Sequence, residues 1–530
     1  MTSLEEQHIP PGKPISFYRA DPRLTSVVSE MDEAADLLTT AFRGYYRSRR
    51  LYAISSTAKG GGVAEMLPCQ LQMIRQFGVE AHWLVISPDV ADLSFFNFTK
   101  RLHNLLHDNP KGPNFQVTDE ERRVYDRVSS EAAAKLAPKL CPGDVVVLHD
   151  PQTLGMAPNI RSMAEDVIIV YRSHIGVDKS TAATKTAWKF LKPFAKLVNA
   201  VVFSAVEYIP GFLAGKSTVI SPGIDPTNEK NKDLSATKLT RILVRAGMID
   251  DKSHSTCYPA WEHGALRLHK DGKLRPCLES DEFGFMFRPV ISQISRWDRL
   301  KGFLPLMQGF VLLKKRRQWF VEKKSDQRMV DKYHRCRLDH VGLVLAGPAP
   351  MSIQDDPEGQ QVFEELRCEY LKLDPEIQAD IAVITLPMGS RVQNALMVNA
   401  LHSCSDIIVQ NSLQEGFGLT CAEAMLKGVA VVGTVACGLR KQIIQGVHGL
   451  LIRDPNNEEE IANVFNQLLS NEKLCLSLGA KAQRRVLKEF TMFAQLTHWL
   501  ELFNKLLGEN RLAEAEEDMI LFDEDIQARY

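Results

Sequence analysis

At 530 residues, with 45% apolar and 24% charged side chains, the chain is too long for one small core. It has the balance of an ordinary globular protein of about two to four domains. Sixty-four basic and 65 acidic residues leave a net charge of −1, which excludes bulk attraction to nucleic acid or an anionic membrane, so any anion site must be local.

The opening stretch, MTSLEEQHIPPGKP, starts acidic and breaks at prolines, unlike a signal peptide. No apolar run approaches the ~18 residues of a membrane span. Ten cysteines are scattered from Cys69 to Cys475 with no Cys-x-x-Cys pair, which favours a reducing cytoplasm over a disulfide framework. Next come short β-branched runs separated by helix-length segments: LYAISS (51–56), HWLVIS (82–87), DVVVLHD (144–150), DVIIVYRSH (166–174), AVVFS (200–204) and STVISPG (217–223). They are apolar on both faces, as parallel strands between helix layers are, and predict a doubly wound α/β domain over 1–225.

Residues 226–287 are rich in His, Pro and charge and predict a linker carrying an insertion. A second strand series begins at PVISQIS (289–295) and runs through VGLVLAGP (341–348), DIAVITLP (380–387), DIIVQNS (406–412), VAVVGT (429–434) and GLLIRDP (449–455). It predicts a second parallel-sheet domain over 288–490. Helical spacing continues in 491–508, and the last 22 residues, 509–530, hold eight acids and two arginines, which predicts an acidic tail.

Ligands in open α/β sheets bind beyond the carboxyl ends of the strands, so the residues there carry the chemistry. After 51–56, Gly60, Gly61 and Gly62 lead into an apolar-periodic helix. Such a turn lets a phosphate or sugar approach backbone N–H groups, or it is simply a turn. It matches neither a dinucleotide fingerprint nor a Walker loop. After 289–295, Arg296 and Lys301 stand five apart; they are either a grip for a diphosphate or two solvated charges.

After 406–412 comes QEGFGLTCAEAM. Glu415 and Glu423 flank the turn Gly416-Phe417-Gly418 and the helix start at Leu419. A carboxylate accepts two hydroxyls at once and suits a vicinal diol, while the helix N-terminus suits phosphate. The competing reading is a favourable helix start with a solvated Glu423. His174 ends the strand VIIVYRSH, with Arg172 two residues earlier, and the pair HD (149–150) ends the preceding one. Either histidine could equally be structural. His254, Cys257, His263, His269 and Cys277 follow no zinc spacing, and KKRR (314–317) reads as a solvated helix face.

Taken together, GGGVAEML, SRWDRLKG and EGFGLTCAEAM resemble the retaining glycosyltransferases of family 4, which have the GT-B fold. SSTAKGGGVAEML, FFNFTKRLHNLL, VVVLHDPQTLG, YRSHIGVD and ISPGIDPTNEKN narrow the resemblance to the trehalose synthase and trehalose phosphorylase branch. The resemblance covers about residues 50–505 apart from the insertion, which, like the acidic tail, has no counterpart in the shorter members.

That resemblance implies two facing Rossmann-like domains with a cleft between them, and helix 491–508 packing back on the first. Arg296 and Lys301 would grip the donor phosphates, and Glu415 would contact donor-sugar hydroxyls. Backbone groups of Gly416, Phe417, Gly418 and Leu419 would face sugar and phosphate, Glu423 the ribose, and Gly61 and Gly62 would close over the phosphate. His174 would lie beside the reacting sugar, with Arg172 and Asp150 on the acceptor side. Implied substrates are a nucleoside-diphosphate glucose and a small sugar, glucose giving trehalose, with no metal or other cofactor. Neither nucleic acid nor membrane is a partner, and a homodimer is allowed. Phosphorolysis with glucose 1-phosphate and a non-catalytic sugar-nucleotide sensor are the alternatives.

Overall fold

The computed structural model describes residues 2–42, 49–58, 61–87, 93–108, 115–249, 259–276, 283–322, 328–350 and 357–508. Gly60, His254, Cys257, Cys277 and the acidic tail 509–530 lie outside them. The chain divides into two units, Met1–Gly223 with Lys488–Tyr530, and Ile224–Leu487.

The first unit holds strands β1 (Ser3–Glu6), β2 (Arg50–Ser55), β3 (Glu80–Ser87), β4 (Val145–His149), β5 (Ile168–Arg172), β6 (Ala200–Phe203) and β7 (Ser217–Val219). They form one sheet in the order β1-β3-β2-β4-β5-β6-β7. All pairs are parallel except β1 with β3. β4 (VVVLH) and β5 (IIVYR) are buried at every position, as central strands covered on both faces must be. β1 (SLEE) has no apolar run because it is a half-exposed edge. The helix over 492–508 belongs to this unit: Gln495 Oε1 accepts from Gln70 Nε2 (2.6 Å) and the Gly223 amide (2.9 Å).

The second unit holds β8 (Leu266–Leu268), β9 (Leu274–Pro276), β10 (Val290–Ile294), β11 (Gly342–Pro348), β12 (Ile381–Leu386), β13 (Ile407–Gln410), β14 (Ala430–Thr434) and β15 (Leu450–Ile452). Their order is β15-β14-β13-β10-β11-β12-β8-β9, with β10–β15 parallel and the β8/β9 hairpin antiparallel at the edge. Alternate residues feed two cores: Ile291, Leu343, Leu345, Ile381 and Val383 one, and Val290, Val344, Ala346, Ala382 and Ile384 the other.

The stretch 226–287 is thus more than linker and insertion. Helix Ala236–Arg245 buries Leu239, Ile242 and Leu243, and the hairpin extends the sheet. Strands of three residues are too short to leave an alternation in the sequence. In the run 314–317, Lys315 and Arg316 are solvated as expected, but Lys314 is not. Lys314 is 2% exposed, and its ammonium donates to the carbonyls of Leu338 (3.1 Å) and Asp339 (2.7 Å), with Asp380 2.7 Å away. Its stem lies along the core side of helix Phe303–Lys315, and its charge meets the C-terminal carbonyls of helix Arg328–His340, a favourable place for a cation.

Both sheets reverse direction once. In the first, β2 runs to β3 on one side and the chain then crosses to β4 on the other. In the second, β10 leads outward to β12, and β13 returns beside β10. Such reversals open crevices at the strand ends, here between the loops after β2 and β4 and between those after β10 and β13.

Candidate active site

In the second unit, the crevice between β10 and β13 gathers the residues from both motifs. After β10, Trp297 is buried against Phe303 and Phe363, and its indole donates to the Pro348 carbonyl at 2.7 Å. Asp298 caps the single turn Arg299–Lys301 by accepting from the Leu300 amide at 2.9 Å. Gly302 then takes a left-handed conformation, φ +59°. These constraints aim Lys301 at the β13 loop, where its ammonium pairs with Glu415, and Ser412 Oγ donates to the same carboxylate oxygen at 3.1 Å. Arg296, with its side chain 57% exposed, lies 3.7 Å from Asp298.

Buried amides fasten the two loops together. Gln293 Nε2 donates to the Lys301 carbonyl at 2.8 Å, and its Oε1 accepts from the Asn411 amide at 2.8 Å. Asn411 Nδ2 donates in turn to Gly302 (3.1 Å) and Pro455 (2.9 Å) carbonyls.

Gly418, at φ +85°, opens helix Leu419–Leu426. A side chain there would press on Glu415 Cγ at 3.0 Å. Gly438 donates its amide to the Glu415 carbonyl at 3.0 Å, and Gln442 Nε2 donates to the Phe417 carbonyl at 2.5 Å, so the Gly416–Gly418 turn is held from behind. Glu423 is the fifth residue of the helix and 4% exposed, far from a solvated position. Its Oε1 pairs with Lys230 at 2.8 Å, while Oε2 is buried with no partner among the described residues.

In the first unit, Gly61 and Gly62 begin helix Gly61–Gln76 directly after the β2 loop. Beyond β4 and β5, the His149 and His174 rings meet, Nδ1 to Nε2, at 3.0 Å. Asp150 has φ +62°, a strained conformation for a side chain of this kind, and its Oδ1 accepts from the His174 amide at 2.8 Å.

Burial sets the charges of this group. It pushes the Asp150 carboxyl up to about 6, against the pull of the His174 amide and the Arg172 cation. Burial and the Arg172 charge push His149 down to about 3 and hold His174 well below the usual imidazole range. Arg172, expected on the acceptor side, is fully buried and donates to the Phe203 carbonyl (3.0 Å) and Ser204 Oγ (3.1 Å). It stands as a cation behind Asp150, with burial lowering it to about 10.

Two family models match this chain: the N-terminal domain of trehalose synthase over residues 53–210 and glycosyl transferases group 1 over residues 341–485. The trehalose synthase of Pyrococcus horikoshii is 30% identical over 482 residues, covering 91% of this chain and 94% of the relative. The chain belongs to the trehalose synthase family. It is a glycosyltransferase, a hexosyltransferase in class. A trehalose phosphorylase of Pleurotus pulmonarius is 25% identical over 84% of this chain and 56% of its own length. The solved structure of an alpha,alpha-trehalose-phosphate synthase (UDP-forming) from Burkholderia vietnamiensis superposes with a TM-score of 0.60 at 14% identity. It covers 87% of this chain and all of that one, and the fold is GT-B.

In this glycosyltransferase, sequence reasoning missed Lys230, Gln293, Asn411 and the bond from His149 to His174. Lys230 lies inside the family-like stretch ISPGIDPTNEKN, the one signal that could have drawn attention to it. The buried amides leave no signal, since their role depends on loop register. Among the described residues, no three His, Cys, Asp or Glu side chains gather to hold a metal, and no helix is long and apolar enough to cross a membrane.

Proposed function

We propose that this glycosyltransferase moves glucose from a nucleoside-diphosphate glucose to the hydroxyl of a small sugar, glucose itself giving trehalose, with retention of anomeric configuration. The observation that carries the nucleotide donor is Glu423: one oxygen is held by Lys230 and the other is buried without a partner among the described residues. A buried carboxylate oxygen in that state calls for a donor group, and a ribose hydroxyl supplies one. Glucose 1-phosphate has no ribose and would leave it orphaned.

The other groups take consistent roles, each within its own unit. As the glycosidic bond breaks, negative charge grows on the leaving diphosphate. Arg296, Lys301 and the N–H groups opening helix Leu419–Leu426 stabilise it, so the reading needs no metal. Glu415 accepts donor-sugar hydroxyls beside the Gly416–Leu419 backbone. In the first unit, Gly61 and Gly62 are assigned to phosphate and His174 and Asp150 to sugar, with Arg172 acting behind Asp150. With no carboxylate nominated as nucleophile, the departing phosphate takes the acceptor's proton on the face it leaves. The described cysteines are free thiols, in keeping with a cytoplasmic enzyme.

Incubation with glucose and each of UDP-, ADP- and GDP-glucose, or with glucose 1-phosphate, tests the proposal. Mass spectrometry reads disaccharide together with released nucleotide or phosphate. Disaccharide from a sugar nucleotide is expected. Formation from glucose 1-phosphate alone would convert the reading to phosphorolysis, and no transfer to glucose from any donor would sink the trehalose assignment while leaving other acceptors open.

A further inference from the structure

The segment Ile224–Lys232 follows directly on the boundary of the first unit and contains no regular helix or strand, yet it is tightly built. Asp225 Oδ1 accepts from the Thr227 amide and hydroxyl, each at 2.8 Å. Asn228 Oδ1 accepts from the amides of Lys230 (3.0 Å) and Asn231 (2.9 Å). Asn231, 2% exposed, donates to the Asp225 carbonyl at 2.8 Å. These side-chain turns mimic backbone turns and fix a path that an isolated loop would not keep.

Two outside residues then clamp that path. Asn399, fully buried, donates to the carbonyls of Glu229 (2.8 Å) and Lys232 (2.9 Å). Lys427 donates to the carbonyls of Asn231 (2.7 Å) and Lys232 (2.9 Å). Lys427 stands four residues after Glu423, on the same side of the helix by its 3.6-residue period. One helix face thus grips the segment at two points: Lys427 holds its backbone, and Glu423 receives the Lys230 ammonium at 2.8 Å.

Resting on the nucleotide-donor reading, we infer that Lys230 is a positioning residue for the ribose site: it holds Glu423 turned so that Oε2 faces the ribose hydroxyls, and thereby makes the site select ribonucleotides. The physical reason lies in burial. A carboxylate that is 4% exposed keeps a buried orientation only where a cation compensates its charge there, and Lys230 does so. A carboxylate turned out of that orientation loses the charge-assisted bond that makes ribose recognition strong. The pair engages Oε1 and leaves Oε2, which has no partner among the described residues, as the oxygen for a ligand.

A double-mutant cycle with a chemical probe tests this. Dissociation constants for UDP and 2′,3′-dideoxy-UDP are measured by calorimetry for the full chain and for Lys230→Met, Glu423→Gln and the double variant, with ADP and GDP pairs run in parallel. Wild type should prefer the ribo form about tenfold or more, and Lys230→Met should bring that ratio close to one. In the Glu423→Gln background, Lys230→Met should change little, because its effect passes through the carboxylate. Lys230→Arg should recover part of the preference.

If Lys230→Met leaves a buried charge that impairs folding, the double variant and Lys230→Gln carry the comparison. A purely structural anchor would weaken both ligands equally and keep the ratio, and that result overturns the inference. So does an equal effect of Lys230→Met in both backgrounds. Should the wild type bind none of the nucleoside diphosphates, the donor reading falls. Binding with an unchanged ratio removes Lys230 alone.

Discussion

His149 Nδ1 and His174 Nε2 lie 3.0 Å apart with ring planes within 14° of each other, so the two imidazoles share a single in-plane proton. Both are held neutral, chiefly by burial, so the shared proton fixes complementary tautomers on the two rings. Replacing His149 by Leu removes that constraint and orphans His174 Nε2. A loss of about tenfold to a hundredfold in kcat is expected, with His149→Gln losing less because its amide can still reach. Steady-state kinetics beside a thermal melt checks this. Equal loss in both variants would make the bond incidental.

With both histidines neutral across the working range, the acid limb of the rate profile falls to Asp150. Burial raises this carboxyl to about 6, above its unfolded value of about 4. Its contribution to stability is therefore present below about pH 4 and lost as pH rises through 6. Activity runs the other way, since a protonated carboxyl accepts fewer sugar hydroxyls. Acceptor kcat/KM should fall below pH 6 with an apparent pKa near that value. A profile flat down to pH 4.5 would take Asp150 out of the acceptor site.

Gly302 is where the loop after β10, proposed to face phosphate, meets its support on Asn411. Any Cβ there would sit 2.3 Å from the Asn411 carbonyl oxygen, at φ +59°. The left-handed backbone alone costs Gly302→Ala about 1–2 kcal/mol, and the contact forces the loop away from Asn411. Because Lys301 is the preceding residue, nucleoside diphosphate binding should weaken along with stability in urea. Loss of stability with unaltered nucleotide affinity would show that the Lys301 position does not depend on this turn.

The sheet strands were legible because buried parallel strands must be apolar at nearly every position, and β4, β5, β11 and β12 are. The turn Gly416–Gly418 and its two acids were legible as a strand-to-helix junction, because Gly418 takes a left-handed backbone there that favours glycine. What could not be read was polar structure whose partners are distant in sequence. Lys314 looks like one of four surface cations until the Asp380 carboxylate and the carbonyls of helix Arg328–His340 converge on it. Arg172 looked like a neighbour of His174 on a strand face, yet the β6 end takes its guanidinium. Lys230 lay in a stretch that reads as linker, because Asx-type turns leave no periodic trace.

Lys301 and Glu415 pair in the structure, and in the proposed roles a sugar nucleotide parts them, the ammonium going to phosphate and the carboxylate to sugar. Their substitutions should therefore have different signatures. Glu415→Gln removes the internal competitor for Lys301, so UDP should bind as well as before or more tightly. Glucosyl transfer should still fall by about 10²-fold, because the sugar loses its charged acceptor. Lys301→Gln removes the cation facing the leaving diphosphate and should weaken UDP binding together with turnover, the latter by about 10²–10³-fold. Calorimetry with UDP and initial rates with UDP-glucose separate the two patterns. Were Glu415→Gln to weaken UDP as much as Lys301→Gln, Glu415 would act on the phosphate loop through its ion pair, and its assignment to the sugar would be lost.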